Sequence, residues 1–149
     1  MTTTVGTTDQ VYELFIKASP ERVWDAITQP EFTVKYFHGV RIEFTPERRT
    51  SGSADGSETW DENAVLEWDP PRRLAYRWHL RQDREDATRV EISFAPAAEG
   101  TAVTIVHSDW QRLGQRERNE RGWGGLVPHY VAACTGGPHA AAEVRPGGR

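Results

Sequence analysis

The spacing of apolar residues changes period along the chain. Residues 11–18 (VYELFIKA) are β-prone. Ser19-Pro20-Glu21 then supplies a helix start, with Ser as the cap and Pro at the first helical position. Val23, Trp24 and Ile27 fall on one face of PERVWDAIT, and Gln29-Pro30 closes that helix before a second short helical stretch at 31–36. From residue 40 the period is two: Val40, Ile42 and Phe44 alternate with Arg41, Glu43 and Thr45, which predicts a half-buried strand. Residues 46–57 are polar and rich in Gly and Ser, so a weak edge strand or a hairpin loop is expected there. Stronger strands are predicted at 58–68, 74–81, 88–95 and 101–108. Residues 112–121 are charged and loop-like or helical. Trp123, Leu126 or Val127, Tyr130, Val131 and Cys134 give 123–134 the spacing of a covering helix.

The order is strand, two short helices, about six antiparallel strands and a C-terminal helix, an α+β layout. A single domain is expected over 10–134, with flexible tails at 1–9 and 135–149. A long antiparallel sheet curls as it twists, and a helix across its concave side leaves a cavity wherever the facing side chains do not fill the space. Composition adds that the interior is aromatic, since six Trp, four Tyr and five Phe are spread over 149 residues. The formal charge of −4 and the scattered arginines give no basic stripe for nucleic acid. No apolar run reaches the ~18 residues of a membrane span, and residues 1–10 lack an apolar signal core, so a cytoplasmic protein without membrane insertion is expected. The single Cys134 allows neither an internal disulfide nor a cysteine zinc cluster. No cofactor motif is present, and the histidines and acids have no recognised metal-ligand spacing, so no metal site is expected.

Four segments occur in a telling order: SPERVWDAIT (19–28), LEWDPPRRL (66–74), HSDW (107–110) and the Gly122-Trp123 opening of the last helix. Together they resemble the START/polyketide-cyclase (SRPBCC) superfamily and, within it, the branch of heat-shock-protein ATPase activator homologues. The resemblance covers about residues 10–134. It implies a helix-grip fold: a curved antiparallel sheet wrapped around the C-terminal helix, two short helices after the first strand, and a hydrophobic cavity between sheet and helix. It also implies a range of activities, because members bind lipids, hormones and polyketides and some are cyclases. One departure is Pro128, which with Gly124-Gly125 before it predicts a shortened or kinked last helix and a wider cavity mouth.

Strand alternation selects the cavity face. Tyr76, Trp78 and Leu80 share one side, as do Val103, Ile105 and His107, and Trp60 or Trp68, Trp110, Trp123 and Tyr130 join them as lining candidates. His107 is the candidate polar anchor, with Asp109 placed to orient it. Tyr36 and His38 leave the second short helix where the fold places the cavity mouth and are candidate gates. Glu62 and Glu67 have odd separation, so only one is expected to reach the cavity. Cys134 is expected to be a buried, inert thiol.

Three functions fit these residues. The first is binding of a small hydrophobic or aromatic molecule, the second a cyclase or dehydratase using His107 and a carboxylate, and the third a protein-interaction module that modulates a chaperone. A homodimer through an exposed edge at 48–57 is a further expectation.

Overall fold

The computed structural model of the chain describes residues 9–36, 40–79, 86–111 and 114–135. Seven strands and three helices follow in the order β1 (Gln10–Ile16), α1 (Pro20–Thr28), α2 (Pro30–Tyr36), β2 (Arg41–Phe44), β3 (Arg48–Gly52), β4 (Thr59–Asp69), β5 (Arg73–Trp78), β6 (Thr88–Ala97), β7 (Gly100–Ser108) and α3 (Gln115–Thr135). The strands form one antiparallel sheet in the order β1-β7-β6-β5-β4-β3-β2. The sheet curls around α3, the helix-grip arrangement. The expected tails fall outside the described residues apart from Asp9 and Thr135, and Thr135 is the last residue of α3.

The local signals work as the residues suggest. Ser19 Oγ accepts from the Arg22 N–H at 3.2 Å and Pro20 opens α1, which buries Val23, Trp24 and Ile27. Pro30 starts α2, and buried Thr33 ties it to the sheet: its Oγ1 donates to the Ile42 carbonyl at 2.6 Å and accepts from the Ile42 N–H at 3.0 Å.

Three sequence-based expectations are corrected. Residues 48–52 form a strand paired to β2 on one side and, with a register shift at Ser51/Gly52, to β4 on the other, while the sheet's edges are β1 and β2. The strand escaped the hydrophobic pattern because its inward residues, Arg49 and Ser51, are polar. A homodimer through this segment therefore has no edge to use. Second, the register shifts between Val65 and Glu67, so side-chain parity inverts along β4. Glu62 and Glu67 consequently share the outer face, where Glu62 meets Arg48 at 3.4 Å and Glu67 meets Arg73 at 2.9 Å. Third, α3 runs as one 21-residue helix through Pro128 and begins eight residues before Trp123. Its first turns are held by Asn119 Nδ2 donating to the Gln115 carbonyl at 2.9 Å, and Gln115 Nε2 reaches the Asp86 carbonyl at 2.8 Å. Pro128 is tolerated because it lies on the exposed side, as does Gly124, whose carbonyl loses its helical N–H partner to the proline.

Candidate functional site

The concave face is filled under α1 and open under the middle of α3. At the filled end Trp24 meets Trp68 edge-on at 5.0 Å and Phe94 at 5.5 Å, over buried Leu14, Ile16 and Val103. At the other end a cavity of about 360 Å³ separates β2, β3, β5 and β7 from α3. That volume lies at the lower end of small-molecule sites. Ile42, Phe44, Tyr76, Trp78 and Ile105 form its sheet side, and Trp123, Leu126, Val127 and Tyr130 its helix side. Two exposed glycines of α3 stand at its rim. Gly122 and Gly125 line it, and a Cβ built on either would touch nothing within 4 Å. Arg121, Gly125 and His129 recur every four residues on one stripe of α3, and all are exposed, so the cavity opens along this flank of the helix.

Of the sequence-predicted residues, Tyr76, Trp78, Trp123 and Tyr130 converge on the cavity. Their polar atoms hold the walls in place. Trp78 Nε1 donates to Asn119 Oδ1 at 2.9 Å, tying β5 to α3, and the Tyr130 hydroxyl donates to the Val23 carbonyl at 3.0 Å. Trp60 projects from the outer side of β4, 43% exposed, with Nε1 on Glu58 at 3.0 Å. β4 shifts register twice, at Trp60 opposite Ser51/Gly52 and between Val65 and Glu67, so strand parity does not carry from Trp60 to inward-facing Trp68. Tyr36 is the last residue of α2, and His38 and Leu80 lie outside the described residues.

His107 and Trp110 form a layer behind the wall and are not among the residues that line the cavity. His107 is fully buried, with Trp110 packed on its ring at 4.5 Å between centroids. Trp123 Nε1 donates to His107 Nδ1 at 2.9 Å; because indole nitrogen only donates, Nδ1 is unprotonated and Nε2 carries the hydrogen. Nε2 then donates to Thr88 Oγ1 at 2.7 Å, and Thr88 donates to the Trp78 carbonyl at 3.0 Å. Burial pushes the imidazole down to about 3, so it is neutral across the physiological range. Asp109 does not orient it. That residue turns outward at φ 64° and pairs with Arg77 at 2.9 Å. Burial likewise pushes the Cys134 thiol up to about 12, against nucleophilic use.

The pattern of apolar positions missed Arg49. It extends from β3 onto the concave face, is 4% exposed, and lines the cavity with its guanidinium 4.4 Å from the Trp78 ring centroid. Burial drives it down to about 10, which still leaves it charged. Phe44 and Arg49 are cross-strand partners in the β2–β3 hairpin, so reading that hairpin would have put Arg49 on Phe44's face.

A curled seven-stranded sheet gripping a C-terminal helix, with an apolar cavity between them, defines a helix-grip protein of the SRPBCC class. The family comparison is specific within that class: residues 17–131 match the family model "Activator of Hsp90 ATPase homolog 1-like protein", and the chain belongs to that family. Solved structures share the fold. An HSP90 activator from Plasmodium falciparum superposes with a TM-score of 0.71 at 16% identity, over 92% of this chain and 99% of that one. CalU16 from Micromonospora echinospora gives 0.67 at 18% identity, over 86% and 76%. The Aha1 dimer from Colwellia psychrerythraea gives 0.66 at 16%, over 86% and 96%. A search of curated proteins returned no match. Among the described residues no helix is long and apolar enough to cross a membrane.

Proposed function

We propose that this chain is a cytoplasmic small-molecule binding protein that takes a flat, apolar or aromatic ligand between its sheet and α3. The observation that carries this reading is the cavity of about 360 Å³ with Phe44, Tyr76 and Trp78 on its sheet side and exposed Gly122 and Gly125 at its helix-side rim. A helix whose only task was to seal a core would place larger side chains there. The cyclase reading has less support. His107 has both ring nitrogens occupied by the protein, and no carboxylate stands among the described residues that line the cavity. A homodimer, as in the Colwellia relative, would not pair through β3, and light scattering of the purified chain tests for one.

The test of the binding reading is native mass spectrometry after exposure to a metabolite extract, with the extract profiled before and after. A discrete adduct of a few hundred daltons, absent in Gly125→Phe, is the expected result. Consumption of a compound with appearance of its dehydrated or rearranged product would make the protein an enzyme. An unchanged mass and an unchanged extract would favour a partner protein instead.

A further inference from the structure

Resting on the binding reading above, we infer that the ligand is an acid: an aromatic or apolar molecule whose carboxylate seats on the Arg49 guanidinium, with the Tyr76 hydroxyl as second donor. Arg49 is more than nine-tenths buried, lines the cavity, and makes no side-chain hydrogen bond or ion pair with any described residue. Among the described residues its side-chain partner is the face of Trp78, which covers the flat of the guanidinium and leaves the N–H fork unengaged by them. Asp61, the carboxylate that acts on it electrostatically, stands beyond ion-pair distance and lies 3.8 Å from His79. The Tyr76 hydroxyl is equally unengaged among the described residues, buried and facing the same space, and the two groups are close enough to perturb each other.

The charge pattern argues the same way. Arg49 and Arg121 are the only formally charged side chains among the described lining residues, in a protein whose formal net charge is −4. A buried guanidinium keeps its charge at a desolvation cost that stacking on an indole recovers only in part. A carboxylate placed against its free edge satisfies two N–H donors at once in the fork geometry that arginine presents. The apolar walls then accept the rest of the molecule, which enters along the glycine flank and leads with its acid group.

The test compares two nearly isosteric probes, naphthoate and naphthyl methyl ketone, by titration calorimetry at neutral pH. Wild-type protein is expected to bind both, with naphthoate tighter by about tenfold or more, the scale of a charge-assisted hydrogen bond. Arg49→Met should reduce that ratio to near one, with naphthoate losing far more affinity than the ketone, and Arg49→Lys should retain part of it. Circular dichroism and a thermal melt verify that each variant is folded, and Arg49→Gln serves if the Met variant is not. Equal binding of the two probes by wild type, or a naphthoate preference that survives Arg49→Met, overturns the acid assignment and leaves the binding reading standing. Failure of wild type to bind either probe removes both.

Discussion

Under α1 the concave face carries Leu14, Ile16, Trp24, Phe94 and Val103, each at most 5% exposed, and the rings of Trp24, Trp68 and Phe94 close on one another. A few residues along the same strands, beneath the middle of α3, Phe44 and Tyr76 also meet edge-on at 4.8 Å, yet a cavity separates these rings from the helix. Trp78 and Trp123 are tethered by their N–H groups to Asn119 and His107, so each ring stands as a wall with a fixed orientation. The covering helix presents Trp123, Leu126, Val127 and Tyr130 across the cavity and leaves exposed Gly122 and Gly125 at its rim. The difference lies less in how apolar the two ends are than in whether the facing side chains meet. Where α1 offers Trp24, the space fills; across from α3, it stays open.

The largest expected effect is at the filled end. Trp24→Ala should lose about 3–5 kcal/mol of stability, because the surrounding rings cannot collapse into the vacated space. Urea denaturation measures it, and a loss below about 1 kcal/mol would mean that this end is as loosely packed as the other. Next comes His107→Phe, expected to cost about 2–3 kcal/mol by leaving the Trp123 N–H without its acceptor in a dry layer.

This histidine also sets a pH signature. Its folded value of about 3 lies below the ordinary imidazole value of 6.5, so the unfolded chain binds the extra proton between the two. The stability contributed by the neutral ring is therefore complete above about pH 6.5 and is lost as pH falls toward 3. The wild-type urea midpoint should drop more steeply between pH 7 and pH 4 than that of His107→Phe. Parallel profiles would show that the ring titrates alike in the native and unfolded states.

At the open end the same kind of substitution should act on binding and not on folding. Gly125→Phe should change stability by less than about 1 kcal/mol, since helix propensity improves and nothing is displaced, yet weaken an aromatic probe by at least about tenfold. A large loss of stability would show that the space is occupied. The smallest effect is expected at Cys134, 2% exposed with its thiol held near 12: a thiol reagent should leave it unmodified at pH 8 until the protein is denatured.

Elements with a strong period were readable in advance. The Ser19-Pro20 helix start, the alternation at Ile42 and Phe44, and the strands around Tyr76, Ile92 and Ile105 each signal their own structure within a few residues, because side-chain direction follows backbone period. The four-segment resemblance then supplied the order in which these elements pack. Four of the nine candidate lining residues were legible for the same reason, Tyr76 and Trp78 from strand alternation and Trp123 and Tyr130 from helical spacing.

Arg49 was not legible, since a charged residue in a polar stretch looks like surface until the hairpin with Phe44 turns it inward. Two register shifts in β4 left Trp60 exposed and brought Trp68 in, although both stand at even positions. His107 went into a wall and not onto the cavity because Trp123 arrived from α3, sixteen residues on, to occupy its ring nitrogen. Local pattern carries direction along one element. Which partner meets a side chain, and whether the space between them is filled, depends on residues from other elements that no local period records.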